Sequence, residues 1–442
     1  MSDTLFPLPP PEPPRETSVE APAPRLERAN RHQLELRATD LDGLLPPEHR
    51  ARIVWDFVEG LDLGPLYDAI RAVEGGAGRP AIDPAILTAL WLYATLDGVG
   101  SARALDRLCE THDAYRWLVG GVSVNYHTLA DFRVAHGAVL DAVLTRSVAT
   151  LMAEGLVTLH RVAQDGLRVR ASAGSGSFRR RPRLQRYLEE AQRQVETLRR
   201  ELDTDPAATS RRQSAARQRA AHERQERVQR ALAREAELAA RQPQRHDAAG
   251  RRRPPRASST DPDAQVMKMG DGGFRPAFNA QFAADTTSQV IVGVEVTTVG
   301  SDHGQLPVMV EQLRERYGAI PAAVVADAGF ANYATIVDLT RAGCVVYAPV
   351  PRRRRLRKPR PHRLYLAPAV AAWRERMTTE TAQVIYRTRA ATAECINALA
   401  RNRGLQQVRV RGLAKVRSVL LWFAVAHNLL RAVTLRRAFA PA

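Results

Sequence analysis

The spacing of apolar residues changes character three times along this chain. From about residue 40 to 155 it is helical. "RIVWDFVEGLDLGPLYDAI" carries apolar residues at helical intervals, interrupted near Gly60, and Asp83-Pro84 supplies an N-cap followed by proline at the first helical position. The helix so started offers Ile86, Leu87, Leu90 and Trp91 on one side and stops at "DGVGS", where Ser101 is placed to cap the next, through Leu105 and Leu108. "HTLADFRVAH" opens with Thr128 and has Asp131 three residues later, a capping-box arrangement. Short helices with tight turns suit a helix-turn-helix fold, and equally any small helical bundle.

Residues 178 to 256 are almost all Arg, Gln, Glu and Ala. Leu184, Leu188, Ala191, Val195, Leu198 and Leu202 recur at alternating intervals of four and three, a heptad seam. "DTDPAATS" breaks the seam at Pro206, and a second helical stretch follows to about Gln242. The simplest picture is an antiparallel helical hairpin inserted into the next domain. It serves as a solvated spacer or as a contact to a DNA backbone or a second copy; glutamates beside many of its arginines favour the spacer.

The third pattern is mixed α/β. Beyond Asp165-Gly166 in "VAQDGLRVRASAG", Leu167, Val169 and Ala171 alternate with Arg168, Arg170 and Ser172, the period of a strand with one buried face. Asp-Gly is also a hairpin-turn signal, and on local grounds the turn is the commoner reading. "FNAQFAAD" and "QVIVGVEVTTV" read as strands joined by "TTS". "GQLPVMVEQLRERYG" is a helix closed by Gly318, "AAVVADAGF" begins as a buried strand, "NYATIVDLTRAG" is a helix ended by Gly343, and "CVVYAPV" is another strand. After the basic loop "PRRRRLRKPRPHR", a long helix is expected from about Glu375 to Asn402, and "VRSVLLWFAVAHNLLRAV" is a final apolar helix.

Composition narrows the partners. The chain has 442 residues, 45% hydrophobic, enough for a sizeable core. Its formal charge of +18 favours a polyanion, nucleic acid before an anionic membrane surface. No uninterrupted apolar segment approaches the ~20 residues that span a bilayer, so membrane association is not expected. The start "MSDTLFPLPP" lacks a basic region followed by an apolar one, so no secretory signal is expected; the proline-rich residues to about 38 read as a disordered tail. Cys109, Cys344 and Cys395 are far apart and odd in number, and read as small buried residues of a reduced, cytoplasmic protein.

Asp165, Asp327 and Glu394 sit on three separate elements of the α/β part: one strand, the end of another, and a helix. Metal-assisted phosphoryl transfer needs such a supply, since two divalent ions about 4 Å apart are held by hard oxygen ligands with positions left for water and phosphate. Each residue also has a plain structural reading. Asp165 can start a turn, Asp327 can cap the helix after it, and most mid-helix glutamates are simply solvated. The neighbours of Glu394, "AATAECINALA", are small or apolar, so a charge there is costly unless something binds it. Competing acids rank lower: Asp285 by an Asx turn, Glu295 by lying on the opposite strand face from Val292, Val294 and Val296, and Asp302 as a helix cap.

Taken in order, "VAQDGLRVRASA", "STDPDAQVMKMGDGGFRPAFNAQFAAD", "VVADAGFANY", "YRTRAATAECINALARNRGL" and "VRGLAKVRSVLLWFAVAHNLLR" resemble DDE-type insertion-sequence transposases with an RNase H-like core. "GRPAIDPAILTALWLYATLDGVGSARALDRL" and "HTLADFR" resemble the helical N-terminal domain of the same proteins. The resemblance implies an α/β fold: an RNase H-like mixed sheet flanked by helices, with an all-α N-terminal domain and an inserted helical hairpin. The implied boundaries are a tail at 1–38, a helical domain at 39–155 for DNA binding, a catalytic core from 156–177 and 260–435, and the arm at 178–259. It implies Asp165, Asp327 and Glu394 as the catalytic triad and metal ligands, with two Mg²⁺ ions for which Mn²⁺ can substitute. Tyr386, Arg389 and Arg401 match positions that contact phosphate, and Arg352, Arg353 and Arg354 of the basic loop add non-specific DNA contacts.

The implied function is metal-dependent cleavage at terminal inverted repeats and strand transfer to target DNA, by a DNA-bound homodimer in the cytoplasm, associated with the nucleoid when on DNA. Some related transposases carry a β-domain between the second Asp and the Glu, but only 67 residues separate Asp327 from Glu394 here, too few for one. A DNA-binding descendant that has lost cleavage, and an RNase H-like nuclease without strand transfer, remain compatible with the same residues.

Overall fold

The computed structural model of this chain describes residues 40–72, 80–204, 211–241, 254–350 and 367–439. Strand β1 (Arg161–Arg170) organises a six-stranded mixed sheet. Along one edge it runs antiparallel to β5 (Phe274–Asp285), from Val162 opposite Asp285 to Arg170 opposite Ala277. Along the other it runs parallel to β7 (Ala323–Val325), which in turn pairs parallel with β8 (Val345–Tyr347). The far edge of β5 takes two antiparallel strands, β4 (Gln265–Lys268) and β6 (Ile291–Thr297). A separate two-stranded ribbon joins β2 (Phe178–Arg179) to β3 (Ala257–Ser258).

Asp165-Gly166 is thus no hairpin apex: Asp165 lies opposite Phe282 within a continuous ladder. The hairpin lies at the end of β5, where Asp285 Oδ1 accepts from the backbone N–H of Thr287 and Ser288, the expected Asx turn. Parallel strands need crossovers, and helices supply them: α10 (Gln305–Tyr317) between β6 and β7, and α11 (Tyr333–Arg341) between β7 and β8. On one face of the parallel half, Val324 and Val346 pack with Leu306, Ile336 and Trp373; on the other, Ala163 and Val325 pack with Ala393.

The N-terminal part is helical: α1 (Arg50–Glu59), α2 (Gly64–Tyr67), α3 (Pro84–Leu96), α4 (Ala102–Thr111), α5 (Asp113–Val119), α6 (Tyr126–Ala135) and α7 (Gly137–Ala153). Asp83 and Ser101 cap α3 and α4 as their sequences imply. The capping box at Thr128 is not used: Asn125 caps α6, accepting from the Thr128 N–H at 3.0 Å, so the helix starts three residues earlier. The arm is α8 (Arg181–Thr204) and α9 (Arg211–Arg241). Arg181 pairs with Glu235, and Arg224 with Glu190, which makes the two helices antiparallel; Leu184 and Ala191 of the heptad seam are buried.

The C-terminal helix α15 (Leu413–Phe439) is buried without interruption from Ser418 to Leu429. It is long and apolar enough to cross a bilayer, contrary to the expectation that no segment would be, but two-thirds of its most apolar stretch lies inside the protein. One hydrophobic core joins α3, α6 and α7 to α15 and to Phe282, Val292 and Val294 of the sheet. Residues from Leu41 onward form a single compact unit. Polar groups fix the helix in place. Asn428 accepts from the N–H of Ile291 at 2.8 Å and donates to its carbonyl at 2.7 Å, while Arg431 Nε donates to Ser288 O. Burial pushes the His427 imidazole down to about 4, so it stays neutral and its Nε2–H donates to Gln289 O.

At the other end of α15, Asp261 Oδ1 accepts from Gly412 N, and Asp263 Oδ2 from Leu413 N and Arg230 of the arm. These carboxylates satisfy N–H groups that the helix itself leaves open. Asp261 is fully buried, and burial followed by the charge of Asp263 pushes it up to about 6. For an acid raised in the folded state, the proton is held by the fold and lost by the unfolded chain as pH climbs from about 4 to 6, so stability falls over that window. Neutral His427 works in the opposite sense over nearly the same window, so the contribution shows only as a difference. The wild type is expected to lose up to ~3 kcal/mol relative to Asp261→Asn between pH 4 and 6, read by denaturant unfolding at each pH.

Candidate active site

Strand register brings the segments that carry two aspartates together. Ala163 of β1 is level with Val325 of β7 on adjacent parallel strands. Both belong to the small cluster that includes Ala393, and Asp165 and Asp327 each follow two residues further on, close enough for the charge of Asp327 to act on the Asp165 carboxyl. Asp327 lies just beyond the C-terminal end of β7, where its Oδ1 accepts from Gly329 N at 2.7 Å. Asp165 Oδ1 accepts from Gly166 N, and its Oδ2 from Asn397 Nδ2 at 3.0 Å.

The third acid comes from a helix that differs from the one expected. The stretch 375–402 is not one helix: α12 (Pro368–Arg376) ends first, α13 (Glu380–Arg389) follows, a π turn spans Ala390–Glu394, and α14 (Cys395–Asn402) continues. In an α-helix, residues five apart point in different directions; a π turn closes i to i+5 and stacks them. Arg389 and Glu394 are five apart and meet through Nη2 and Oε1. Gln289 of the β5–β6 turn donates to Ala391 O at 2.7 Å, giving a carbonyl of the irregular turn a partner. Glu394 is half exposed, so its small apolar neighbours do not desolvate it as their sequence implies. Cys395 beside it is exposed, against the expectation that all three cysteines are buried.

Arg389 is the electrostatic centre of the site. Its Nη1 lies 3.2 Å from Asp165 Oδ2 while Nη2 holds Glu394, and its guanidinium sits 5.9 Å from the Tyr386 ring centroid. Burial opposes the Arg389 charge, but Asp165, Tyr386 and Glu394 together outweigh it and hold the guanidinium more firmly protonated. Burial raises the Asp165 carboxyl above its ordinary range; Arg389 and the Gly166 N–H pull it down, and the charges of Asp327 and Asp302 push it up.

Of the other residues implied by the sequence, Tyr386 is half-buried against Ala163 and Val325. Arg401 is exposed on α14, joined to none of the three acids by a hydrogen bond or ion pair. Arg352, Arg353 and Arg354 lie outside the described residues. Asp302 does not cap α10 with its side chain. It is the centre of a buried network in which Arg168 donates to both its oxygens, and Asn279 and Gln281 donate to Oδ1 at 2.8 Å. Gly166 faces this network, on the opposite side of β1 from Asp165, so its open space serves Asp302 and not the acidic pair. Asn397, a direct partner of Asp165, was missed because a buried amide on a helix has no sequence signal of its own.

The donor set, carboxylate oxygens carried by two strands and a helix, suits a hard divalent cation. Among the described residues no three His, Cys, Asp or Glu side chains are gathered closely enough to hold an ion. The positive charge that compensates Asp165 and Glu394 is the guanidinium of Arg389.

Two aspartates on a mixed sheet, beside a helix that carries a third acid, are of the residue type that metal-assisted chemistry on phosphate esters uses. Residues 248–429 match the family described as "Transposase DDE domain", and residues 39–135 match "Transposase domain (DUF772)". The chain belongs to the DDE-type insertion-sequence transposases. Domains of this type generally use divalent metal ions. The DDE match takes in Asp327 and Glu394 and begins after Asp165, which the fold returns to it by pairing β1 with β5 and β7. No curated protein and no solved structure matches the chain.

A methyl group at position 166 would lie 2.5 Å from Asp302 Oδ1 and 2.8 Å from both Arg168 Nη1 and Gln281 Nε2, all committed to the network. Gly166→Ala is therefore expected to destabilise the fold by roughly 1–3 kcal/mol in urea unfolding. Unchanged stability would mean that the network yields without cost.

Proposed function

We propose that this protein cuts DNA at the ends of its own element and joins those ends to target DNA, with Asp165, Asp327 and Glu394 as the reacting site. The pairing of β1 with β7, which ends with Ala163 beside Val325 two residues before Asp165 and Asp327, carries the reading. The order of an antiparallel β6–β5–β1 trio followed by parallel β7 and β8 supports an RNase H-like core.

A divalent ion, Mg²⁺ in this reading with Mn²⁺ able to substitute, supplies activation of the attacking oxygen and stabilisation of charge at the phosphorus when bound. Asp165, Asp327 and Glu394 would hold it, which requires Arg389 to release Asp165. Once released, the Arg389 guanidinium, 5.9 Å from the Tyr386 ring centroid, would pair with a DNA phosphate. Arg401 and the arginines at 352–354 would add backbone contacts. The helical residues 39–155 would recognise the terminal repeats, and synapsis of two ends would need a homodimer on DNA, in the cytoplasm.

The test is incubation of the full chain with DNA carrying the element's ends, with Mg²⁺ or with a chelator, followed by analysis of cut and joined products. Cleavage and joining are expected with Mg²⁺ alone and are expected to vanish in Asp327→Ala. Cutting without joined products would leave a nuclease, and cutting unaffected by Asp327→Ala would remove the acid from the mechanism.

A further inference from the structure

A second site stands apart from the acids. The turn after α3 and the connector between α14 and α15 touch through two glycines. A methyl on Gly404, whose φ is +86°, would come within 3.1 Å of Gly98 O, so the two backbones approach more closely than most side chains accept. Beside this contact lies a cavity of about 220 Å³, lined by Gly98, Gly100, Arg133, Arg403, Gln407 and Arg409 among others, and no acidic residue lines it.

Three arginines without a carboxylate are costly to gather unless an anion completes them. Arg133 is 9% exposed and held in one orientation: its guanidinium lies 4.5 Å from the Trp91 ring centroid and its Nη1 donates to Gly100 O at 2.7 Å. Its Nε–H is buried with no acceptor, and so is Arg403 Nη1. None of the three arginines forms an ion pair with an Asp or Glu of the described residues, and Arg409 is close enough for its charge to work against that of Arg133. Neighbouring arginines elsewhere do find acids, as Arg316 and Arg417 do at Asp141.

We propose that this pocket binds a phosphate group, and that the group is a backbone phosphate of the DNA on which the protein acts. The geometry supports DNA as the source. The connector is tied to the end of β1, Arg170 N donating to Gln406 O and Val408 N to Arg170 O. Arg170 is five residues beyond Asp165 on the same strand, about 17 Å at 3.3–3.4 Å per residue. Measured along the axis of a DNA duplex, that is the rise of about five base pairs. The pocket also joins elements from both matched families, α6 from the N-terminal one and the connector from the DDE domain. A phosphate there would hold one DNA strand against both.

The test needs neither metal nor cleavage, so its outcome is independent of the proposed reaction. Binding of a short random-sequence duplex to the full chain is measured in a chelator across a salt series, for wild type, Arg403→Gln, Arg409→Gln and, as control, Arg341→Gln on α11. In parallel, melting is followed in inorganic phosphate against chloride of equal ionic strength. Arg403 and Arg409 are chosen because Arg133 also packs on Trp91. Each pocket variant is expected to bind DNA more weakly and to reduce the slope of log K against log salt by ~0.9, with Arg341→Gln unchanged. Phosphate is expected to raise the melting temperature of the wild type and not of the pocket variants. A phosphate effect with unchanged DNA slopes would overturn DNA as the source and leave a site for a free phosphate compound. Unchanged slopes with no phosphate effect, or equal losses in the control, would overturn the site.

Discussion

A helix that is apolar on every side must be covered on every side, and α15 imposes that condition on the whole protein. The N-terminal helices cover it from one direction and the sheet from the other, so one core runs through parts that read as separate along the sequence. Its few polar groups work at its edges. Asn428, His427 and Arg431 hold the β5–β6 turn, and Asp261 and Asp263 hold its first N–H groups. The turn held in this way carries Gln289, which reaches across to the π turn beside the acidic site. Packing at the centre is thus connected to the placement of Glu394 by a short chain of hydrogen bonds.

β1 carries polar work on both faces. One presents Asp165 to Arg389 and Asn397; the other presents Gly166 and Arg168 to Asp302. A strand buried on both sides and carrying charge on both is stable only if every charge is matched, and here guanidinium groups do the matching. Arg168 is committed to a closed network. Arg389 is shared between two carboxylates on separate elements.

Much of this was legible in the sequence. Period-two alternation marked β1 and β6, β5 was read as the other strand of a hairpin, and Asp83, Ser101, Gly318 and Gly343 mark element boundaries where expected, because caps and left-handed glycines act locally. What was not legible depends on distant partners. The π turn at 390–394 has no local signature, and without it Arg389 and Glu394 do not face each other. The surroundings of Glu394 misled because small neighbours mark helix packing on the other side, and Glu394 itself faces solvent. Asp302 has the sequence of a helix cap, yet three polar side chains from β1 and β5 claim its carboxylate. The apolar length of α15 was underestimated because Arg417 and Arg431 bracket it; both find partners in the fold.

In the proposed reaction Asp165, Asp327 and Glu394 form one ion-binding site. The most direct measurement is iron-directed backbone cleavage: Fe²⁺ is added in place of Mg²⁺ to the full chain bound to DNA, with ascorbate and peroxide, and the peptide fragments are mapped. Cuts near residues 165, 327 and 394 that fade on adding Mg²⁺ are predicted. Cuts confined to other segments, or cuts at these positions that Mg²⁺ does not suppress, would contradict it.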